Sequence, residues 1–393
     1  RLVGHHPTRG EKEKEVIEAE RGTDPILTAL KQGKITYSWC DHDIDLEYNA
    51  RGQRIFSQEW IPKIQRHLWG LLPKRKKECK GAVFVVHGLN SHSGRYETLV
   101  KEFVGHGYWV FSHDLHGHGR SFGVNAFTSS IQHYVDDARF HVNSVMSKHK
   151  VLQNKPMFLV GHSMGGAVAI RLARDDETLL TKAAKPKFDW GRKVLGKWWK
   201  DTQQQSDGER GIAGENSRET HGWMSNSVTL LSNNTPHHWN GVLLTSPAVS
   251  VFPKPLLKIF APIVGTLLPL VPVQKLKSRS NFSPDTVNDP LILHMGVRAR
   301  VGYEMLKSCN DIMRTAQRFT SNLFVAHAIN DRVTAAKGSE MFVNRASSRI
   351  KTLRLYDTKV HDLLGNAEYA PQVAKDMVIW ANERVEAGKR NKA

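Results

Sequence analysis

The segment that most constrains this chain is a short apolar run that leads into a serine flanked by glycines. Residues 156–160 form the run, and the pattern G-x-S-x-G occupies 161–165. This order predicts a nucleophile elbow, a sharp turn from a strand into a helix that exposes a serine hydroxyl at the end of a sheet. Gly161 and Gly165 leave room for the strained backbone. Ser163 is therefore the candidate nucleophile, and the alternative is an ordinary glycine and serine loop.

A serine hydroxyl needs a base and an orienting carboxylate to become a good nucleophile. In enzymes with such an elbow the three groups follow in the order Ser, Asp, His. Asp331 comes just after the predicted strand 323–327, and His361 comes just after the predicted strand 351–356. Both therefore fall at strand ends, where the catalytic acid and base belong. We predict Asp331 as the acid and His361 as the base, with Asp357 as the nearest rival for the acid.

A second apolar run lies upstream of the elbow. Residues 81–86 form a short predicted strand that ends in His87–Gly88–Leu89. The backbone N–H groups of Leu89 and Met164 are predicted to converge on the oxyanion that develops when a serine attacks a carbonyl. A buried strand followed by an ordinary turn is the alternative for this segment.

With these segments in place, the chain resembles the monoglyceride lipase and lysophospholipase family of α/β-hydrolases. The likeness covers roughly residues 50–175 and 240–388. The motifs that carry it are His87–Gly88, His92–Tyr96, His113–Asp114, Gly117–Ser121, Gly161–Gly166, Asn288–Leu291, Asn330–Val333 and His361. The resemblance implies the same nucleophile, acid, base and oxyanion donors as the motifs above.

The resemblance also implies the architecture and the substrate contacts. It implies an α/β-hydrolase fold, with a mostly parallel central sheet covered by helices and a helical cap, and the chain departs from the family by a long insertion after the nucleophile helix. It implies Arg95 and His162 as substrate-binding residues, and it implies that no cofactor and no metal ion takes part. The chain departs from the family at Leu89–Asn90–Ser91, where members that cleave monoacylglycerol often carry an acidic residue.

The pattern of charge and hydrophobicity predicts six segments. They are a charged N-terminal extension at 1–33, the first part of the core at 34–175, a partly flexible insertion at 176–240, a core strand at 241–250, the cap at 251–320 and the C-terminal part of the core at 321–393. Lysines alternate with tryptophans at 182–200, which suits either a membrane interface or a helix packed on its own domain. The apolar run at 251–273 is interrupted by prolines and lysines, so a spanning helix is not expected.

The composition favours an anionic partner. The net charge is +18, from 56 basic and 38 acidic residues, and no nucleic-acid-binding motif is present. We therefore expect peripheral contact with anionic membrane and no nucleic acid partner, with simple solvated lysines as the alternative. Three widely spaced cysteines, Cys40, Cys79 and Cys309, indicate reduced thiols and a cytoplasmic setting.

Together these features predict a serine carboxyl-ester hydrolase that acts on a single-chain lipid, either a monoacylglycerol or a lysophospholipid. Two alternatives remain open. One is a lipid acyltransferase that uses the same triad. The other is a non-catalytic membrane- or partner-binding protein on the same fold, although the presence of all the catalytic segments argues against it.

Overall fold

The computed structural model describes residues 37–63, 79–184, 235–251, 255–274, 286 and 288–390. The predicted extension at 1–33 and most of the predicted insertion at 176–240, including most of its Lys and Trp segment, lie outside these residues.

One central sheet organises the described part of the chain. Its strands are β1 (Cys40–Tyr48), β2 (Arg54–Pro62), β3 (Gly81–Val86), β4 (Tyr108–His113), β5 (Met157–His162), β6 (Gly241–Thr245), β9 (Leu323–Ala328) and β10 (Lys351–Tyr356), while β7 (Pro272–Gln274) and β8 (Val297–Arg298) form a separate pair. The order across the sheet is β1-β2-β4-β3-β5-β6-β9-β10. β2 is antiparallel to both β1 and β4. The other six strands, β4-β3-β5-β6-β9-β10 in their order across the sheet, are parallel to one another.

Helices cover both faces of this sheet. They are α1 (Glu97–Gly105), α2 (Ile131–Lys148), α3 (Met164–Ala184), α4 (Pro255–Leu267), α5 (Ala299–Arg314), α6 (Ala336–Arg345) and α7 (Ala370–Arg390). Side chains of β3 alternate between two cores: Phe84 and Val86 pack with α2, α3, α5 and α6, whereas Val83 and Val85 pack with α1 and α7. This alternation is the two-residue period of a strand buried on both faces. The predicted α/β architecture is confirmed.

The nucleophile helix α3 is longer than the sequence suggested. It runs to Ala184, so the predicted start of the insertion at residue 176 falls inside it. The reason is tertiary pairing of its polar residues. Asp176 is fully buried, forms an ion pair with Arg139 and accepts a hydrogen bond from the Trp239 indole at 3.0 Å. The residues from 176 to 184, which were assigned to the insertion, are thus part of α3, and Asp176 anchors them to the core.

The predicted cap segment contains α4, the β7–β8 pair and α5. Helix α4 packs closely on α5. A Cβ added at Gly265 of α4 would lie only 3.0 Å from the Cβ of Tyr303 in α5. Pro262 lies inside α4, which ends at Leu267. Within the described ranges, no helix is both long enough and apolar enough to cross a membrane.

Several histidines are buried in a neutral form. Burial lowers the pKa of His113 to about 4 and holds the pKa of His141 well below its ordinary value. The two rings lie 4.9 Å apart, and their nitrogens have no hydrogen-bond partner among the described residues. An unfolded chain takes up protons on such histidines below about pH 6.5, while the folded chain does not.

We expect stability to fall with acidification through this window. Because the unfolded state binds more protons, each such histidine lowers the free energy of unfolding by about 1.4 kcal/mol per pH unit between about pH 6.5 and its folded pKa, and the loss remains below that pKa. His141→Leu should therefore flatten the pH dependence measured by urea unfolding between pH 6.5 and 4. The matched control is His106→Leu, since His106 is 46% exposed. Equal slopes in the two variants would contradict this account.

Candidate active site

Ser163 occupies a strained turn between β5 and α3. Its φ angle is 51°, in the left-handed region that non-glycine residues rarely adopt. The turn is held by the neighbouring strand β6, because the Ser163 amide donates to the Thr245 carbonyl at 3.0 Å and the Ser163 carbonyl accepts from the Ala248 amide at 2.9 Å. The side chain is thereby presented beyond the end of the sheet.

The glycines of the elbow are required by close packing. A Cβ at Gly165 would lie 2.2 Å from the Val86 carbonyl oxygen, and one at Gly161 would lie 2.5 Å from the Gly165 carbonyl oxygen. Both distances are far below van der Waals contact. The G-x-S-x-G pattern therefore reflects the tight crossing of α3 over β3 and β5.

The structure brings Ser163, His361 and Asp331 into one hydrogen-bonded relay. Ser163 Oγ lies 2.9 Å from His361 Nε2, and His361 Nδ1 lies 2.7 Å from Asp331 Oδ2. The carboxylate can accept only from a protonated Nδ1, which leaves the Nε2 lone pair facing the serine hydroxyl. This is the arrangement in which an imidazole can take the proton of Ser163.

Asp331 is stabilised as an anion. Its Oδ1 accepts from the Val333 amide at 2.7 Å and the Thr334 amide at 3.2 Å. Burial by itself raises the pKa of this carboxyl, but hydrogen bonds from His327 and His361 outweigh burial and hold the pKa well below its usual range. The rival Asp357 is exposed, and its carboxylate accepts from the side-chain Nδ2 of Asn330 at 3.5 Å.

The loop after β3 passes directly over the nucleophile. A Cβ at Gly88 would lie 3.0 Å from His162 Cδ2 and 3.2 Å from Ser163 Cβ. His87 fixes this loop: its Nδ1 donates to the Gly88 carbonyl at 2.8 Å, and its Nε2 accepts from the Leu115 amide at 2.9 Å. Burial lowers the pKa of His87 to about 3, so the ring stays neutral and keeps both bonds. The sequence showed the His-Gly pair but not this supporting role.

The two predicted oxyanion donors line the same cavity as Ser163. Met164 is the first residue of α3, so its N–H has no acceptor within the helix. Leu89 directly follows the glycine that contacts the serine. Their assignment as oxyanion donors stays a prediction.

A cavity of about 420 Å³ opens from Ser163 and His361 into the cap segment. Its cap-side wall is largely apolar and includes Val264, Ile292, Leu293, Met295, Val297 and Leu306. Helix α4 contributes Val264 and also Ala261 to this wall. A cavity of this size and composition suits an apolar chain whose polar end reaches the serine.

Arg95 binds two other segments of the chain beside His361. Its Nη2 donates to Asp362 Oδ2 at 3.1 Å, to the Gly365 carbonyl at 3.2 Å and to Thr286 Oγ1 at 3.2 Å. Asp362 immediately follows His361. The guanidinium therefore lines the cavity while its charge is already paired, and its assignment as a substrate contact stays a prediction.

The His162 ring packs against the His361 ring, with ring centroids 5.0 Å apart. Its Nδ1 lies 3.1 Å from Thr245 Oγ1, and its Nε2 lies 3.7 Å from Asp362 Oδ1. Burial lowers the pKa of His162 to about 4, so the ring is neutral at pH 7. It lines the cavity, but contact with substrate remains to be tested.

Two contacts between the core and the cap were not visible in the sequence. His92 Nε2 lies 2.7 Å from Asp289 Oδ2, and Asn90 Nδ2 donates to the Met295 carbonyl at 2.8 Å. The partners in each pair are about two hundred residues apart, and the sequence showed His92 and Asp289 in two separate motifs without showing that they pair. These contacts hold the cap segment against the loop that follows β3. Over the part of the chain that the structure covers, no group of three or more His, Cys, Asp or Glu side chains could hold a metal ion.

Comparison with known proteins gives the site a family context. The sequence profile Hydrolase_4, described as serine aminopeptidase, S33, matches residues 77–195 and 225–368. Human monoglyceride lipase is 27% identical over 345 residues, which is 86% of this chain and 89% of the human protein. Rat monoglyceride lipase is 26% identical over 346 residues, 86% of this chain and 89% of the rat protein.

The fold also matches solved structures. A soluble variant of monoglyceride lipase from Saccharomyces cerevisiae, crystallised with a substrate analog, superimposes with a TM-score of 0.61. The match covers 90% of this chain and 98% of the yeast chain at 17% sequence identity. At 17% sequence identity, this structural similarity establishes that the two proteins share a fold.

Proposed function

Since the chain belongs to the Hydrolase_4 family and is a serine hydrolase, we propose that it cleaves carboxyl esters of single-chain lipids through Ser163, His361 and Asp331. The observation that carries the proposal is the relay of 2.9 and 2.7 Å that ends at the mouth of an apolar cavity. The similarity to monoglyceride lipases supports a lipid ester as the substrate.

The geometry translates into a two-step reaction. His361 Nε2 accepts the Ser163 proton as Oγ attacks the ester carbonyl, and the backbone amides of Leu89 and Met164 bind the oxyanion of the tetrahedral intermediate. Collapse of the intermediate breaks the ester bond, and His361 gives its proton to the departing alcohol. Water then loses a proton to His361 and attacks the acyl-enzyme, and His361 returns that proton to Ser163 Oγ as the acyl–serine bond breaks and the fatty acid leaves. Asp331 keeps the imidazole in the required tautomer throughout.

Three esters test the proposed function. The monoacylglycerol and the lysophosphatidylcholine carry the same long acyl chain, and the third ester is an acetate. The purified chain should hydrolyse at least one of the two lipids faster than the acetate, because only a long acyl chain fills the apolar cavity. Chromatography should find equal amounts of free fatty acid and alcohol. Transfer of most acyl groups to an added alcohol in preference to water would identify an acyltransferase. Absence of ester cleavage would contradict catalysis.

We also propose that the protein contacts anionic membranes through the outer face of α4. Phe260, Ile263 and Leu267 of this helix are 48%, 55% and 72% exposed, and the chain carries a net charge of +18. The neighbouring residues Leu268, Leu270 and Val271 are also exposed. These exposed apolar residues, beside a helix whose Ala261 and Val264 line the cavity and on a basic protein, suit a membrane surface from which a lipid enters.

The double change Ile263→Ser and Leu267→Ser should weaken binding to anionic vesicles by about 100-fold, since each side chain contributes roughly 1.5 kcal/mol of apolar transfer. Sedimentation with vesicles measures this. The matched control is Ile379→Ser on α7, because Ile379 is 46% exposed away from the cap. Equal weakening by the control would contradict the assignment of this surface.

The basic segment predicted at 182–200 can be tested by the same sedimentation with vesicles. Neutralising Lys193, Lys197 and Lys200, which lie outside the described residues, should weaken binding at low salt more than at high salt, because screening shortens the reach of exposed charges to about 8 Å at physiological ionic strength. Turnover of a soluble short-chain ester should stay nearly constant. A parallel loss of that turnover would show that the segment supports the active site.

A further inference from the structure

The carboxylate of Asp331 contacts a second histidine besides His361. His327 Nε2 lies 3.3 Å from Asp331 Oδ2 and 3.3 Å from the Thr334 carbonyl oxygen. His327 belongs to β9, its side chain is fully buried, and it is not among the residues that line the catalytic cavity. Any effect of His327 on the reaction must therefore pass through the protein groups that its ring touches.

The other nitrogen of the His327 ring fixes its tautomer. His327 Nδ1 lies 2.7 Å from the hydroxyl oxygen of Ser339, a fully buried residue of α6. The carboxylate oxygen of Asp331 and the carbonyl oxygen of Thr334 can only accept hydrogen bonds, so Nε2 carries the proton of the neutral ring. Nδ1 then accepts from the Ser339 hydroxyl. A buried chain of polar contacts thus runs from Ser339 through His327 to the catalytic acid.

The His327 N–H supports both the charge and the loop of Asp331. Thr334, whose carbonyl faces this N–H, donates its own amide to Asp331 Oδ1 at 3.2 Å. Burial raises the pKa of Asp331, yet the pKa is held well below its usual range, and the hydrogen bond from His327 is the largest of the contributions that lower it. Asp331 Oδ2 in turn lies 2.7 Å from His361 Nδ1. The orientation of the carboxylate toward His361 therefore depends on His327.

We propose that His327 is a positioning residue that holds the Asp331 carboxylate in place for His361, and that Ser339 sets the tautomer which this role requires. The inference rests on the proposed ester hydrolysis and adds two residues that lie outside the relay and outside the cavity. Because neither residue lines the cavity, their loss should lower kcat and leave KM nearly unchanged.

Two amide substitutions separate the roles of the two ring nitrogens. The amide nitrogen of a glutamine reaches about as far from the backbone as Nε2, so His327→Gln keeps a donor toward Asp331. An asparagine amide reaches only as far as Nδ1, so His327→Asn loses that donor and keeps a polar side chain. We expect His327→Asn to lower kcat for a soluble ester by about 10- to 100-fold, the effect of one hydrogen bond to a charged group. His327→Gln should retain most of the wild-type kcat.

Ser339→Ala tests the tautomer. Without the hydroxyl, the His327 ring can carry its proton on Nδ1 and turn a lone pair toward the carboxylate, so kcat should fall several-fold. In a His327→Gln background the same change should have a much smaller effect, because an amide has no tautomer to set.

A double-mutant cycle distinguishes positioning from a general loss of structure. In an Asp331→Ala background, His327→Asn should cause no further loss of kcat, because its effect passes through the missing carboxylate. The matched control is His141→Asn. His141 is also buried, and its ring packs against the His113 ring outside the catalytic cavity. This variant should keep the wild-type kcat, and urea unfolding shows that each variant is folded.

Three results would overturn the positioning role and leave ester hydrolysis intact. They are equal kcat values for His327→Asn and His327→Gln, a loss confined to KM, and an undiminished effect of His327→Asn in the Asp331→Ala background. If His327→Asn does not fold, Ser339→Ala decides the question, and an equal effect in the wild-type and His327→Gln backgrounds would overturn the proposal. Failure of the wild-type chain to cleave any ester would overturn the proposed function and the positioning role together.

Discussion

Replacing Ser163 with alanine is expected to lower ester turnover by about 10⁴-fold or more, because the reaction loses its nucleophile while the fold keeps its structure. The side chain contributes no packing that alanine lacks, apart from the hydroxyl that faces His361 at 2.9 Å. Steady-state hydrolysis of a soluble ester measures the loss, and thermal unfolding measured in parallel checks that the variant is folded.

Ser246→Ala is the matched control for this substitution. Ser246 also has a positive φ angle, 41°, and also follows a strand of the central sheet, β6. Its hydroxyl is buried and has no role in the relay. Turnover by this variant should remain within a few-fold of wild type. Near-normal turnover by Ser163→Ala would require a different nucleophile.

Asp331→Asn is expected to lower turnover by about 10⁴-fold, nearly as much as loss of the serine. The carboxamide retains the shape of the side chain but can donate a hydrogen bond to Nδ1. This bond favours the tautomer whose proton is on Nε2. That tautomer cannot accept the Ser163 proton. Stopped-flow measurement of the acylation step with a chromogenic ester tests this, because deacylation does not obscure it.

Asp357→Asn provides the comparison, since both residues follow strands near His361. Asp357 is exposed and bonds to the Asn330 side chain at 3.5 Å, whereas Asp331 is buried against His361 at 2.7 Å. We expect this variant to acylate at nearly the wild-type rate. If Asp357→Asn were the inactive one, the carboxylate would have been assigned to the wrong loop.

Local patterns predicted the α/β fold, because the signals of strands and helices depend on neighbours in the chain. Helix α2 (Ile131–Lys148), for example, begins after Ser130, whose side chain accepts a hydrogen bond from the Gln132 amide as an N-cap. Ser163, Asp331 and His361 each follow a parallel strand, and parallel strands end on the same side of a sheet. Convergence of the three side chains followed from strand order, although the distances did not.

The remaining features depend on long-range pairing that no local pattern encodes. Arg95 was predicted to bind substrate, yet its guanidinium engages Asp362, which is 267 positions away in the chain. The length of α3 depended on partners such as Arg139 and Trp239 from other segments.

The most direct measurement is to map the adduct of a fluorophosphonate probe by peptide mass spectrometry. Such a probe reacts covalently with a serine that a neighbouring base has activated. The relay predicts one adduct, on Ser163, that is lost in Ser163→Ala and strongly slowed in His361→Ala. An adduct on a different residue, or labelling of Ser163→Ala at the wild-type rate, would contradict the assignment of Ser163 as the nucleophile of this enzyme.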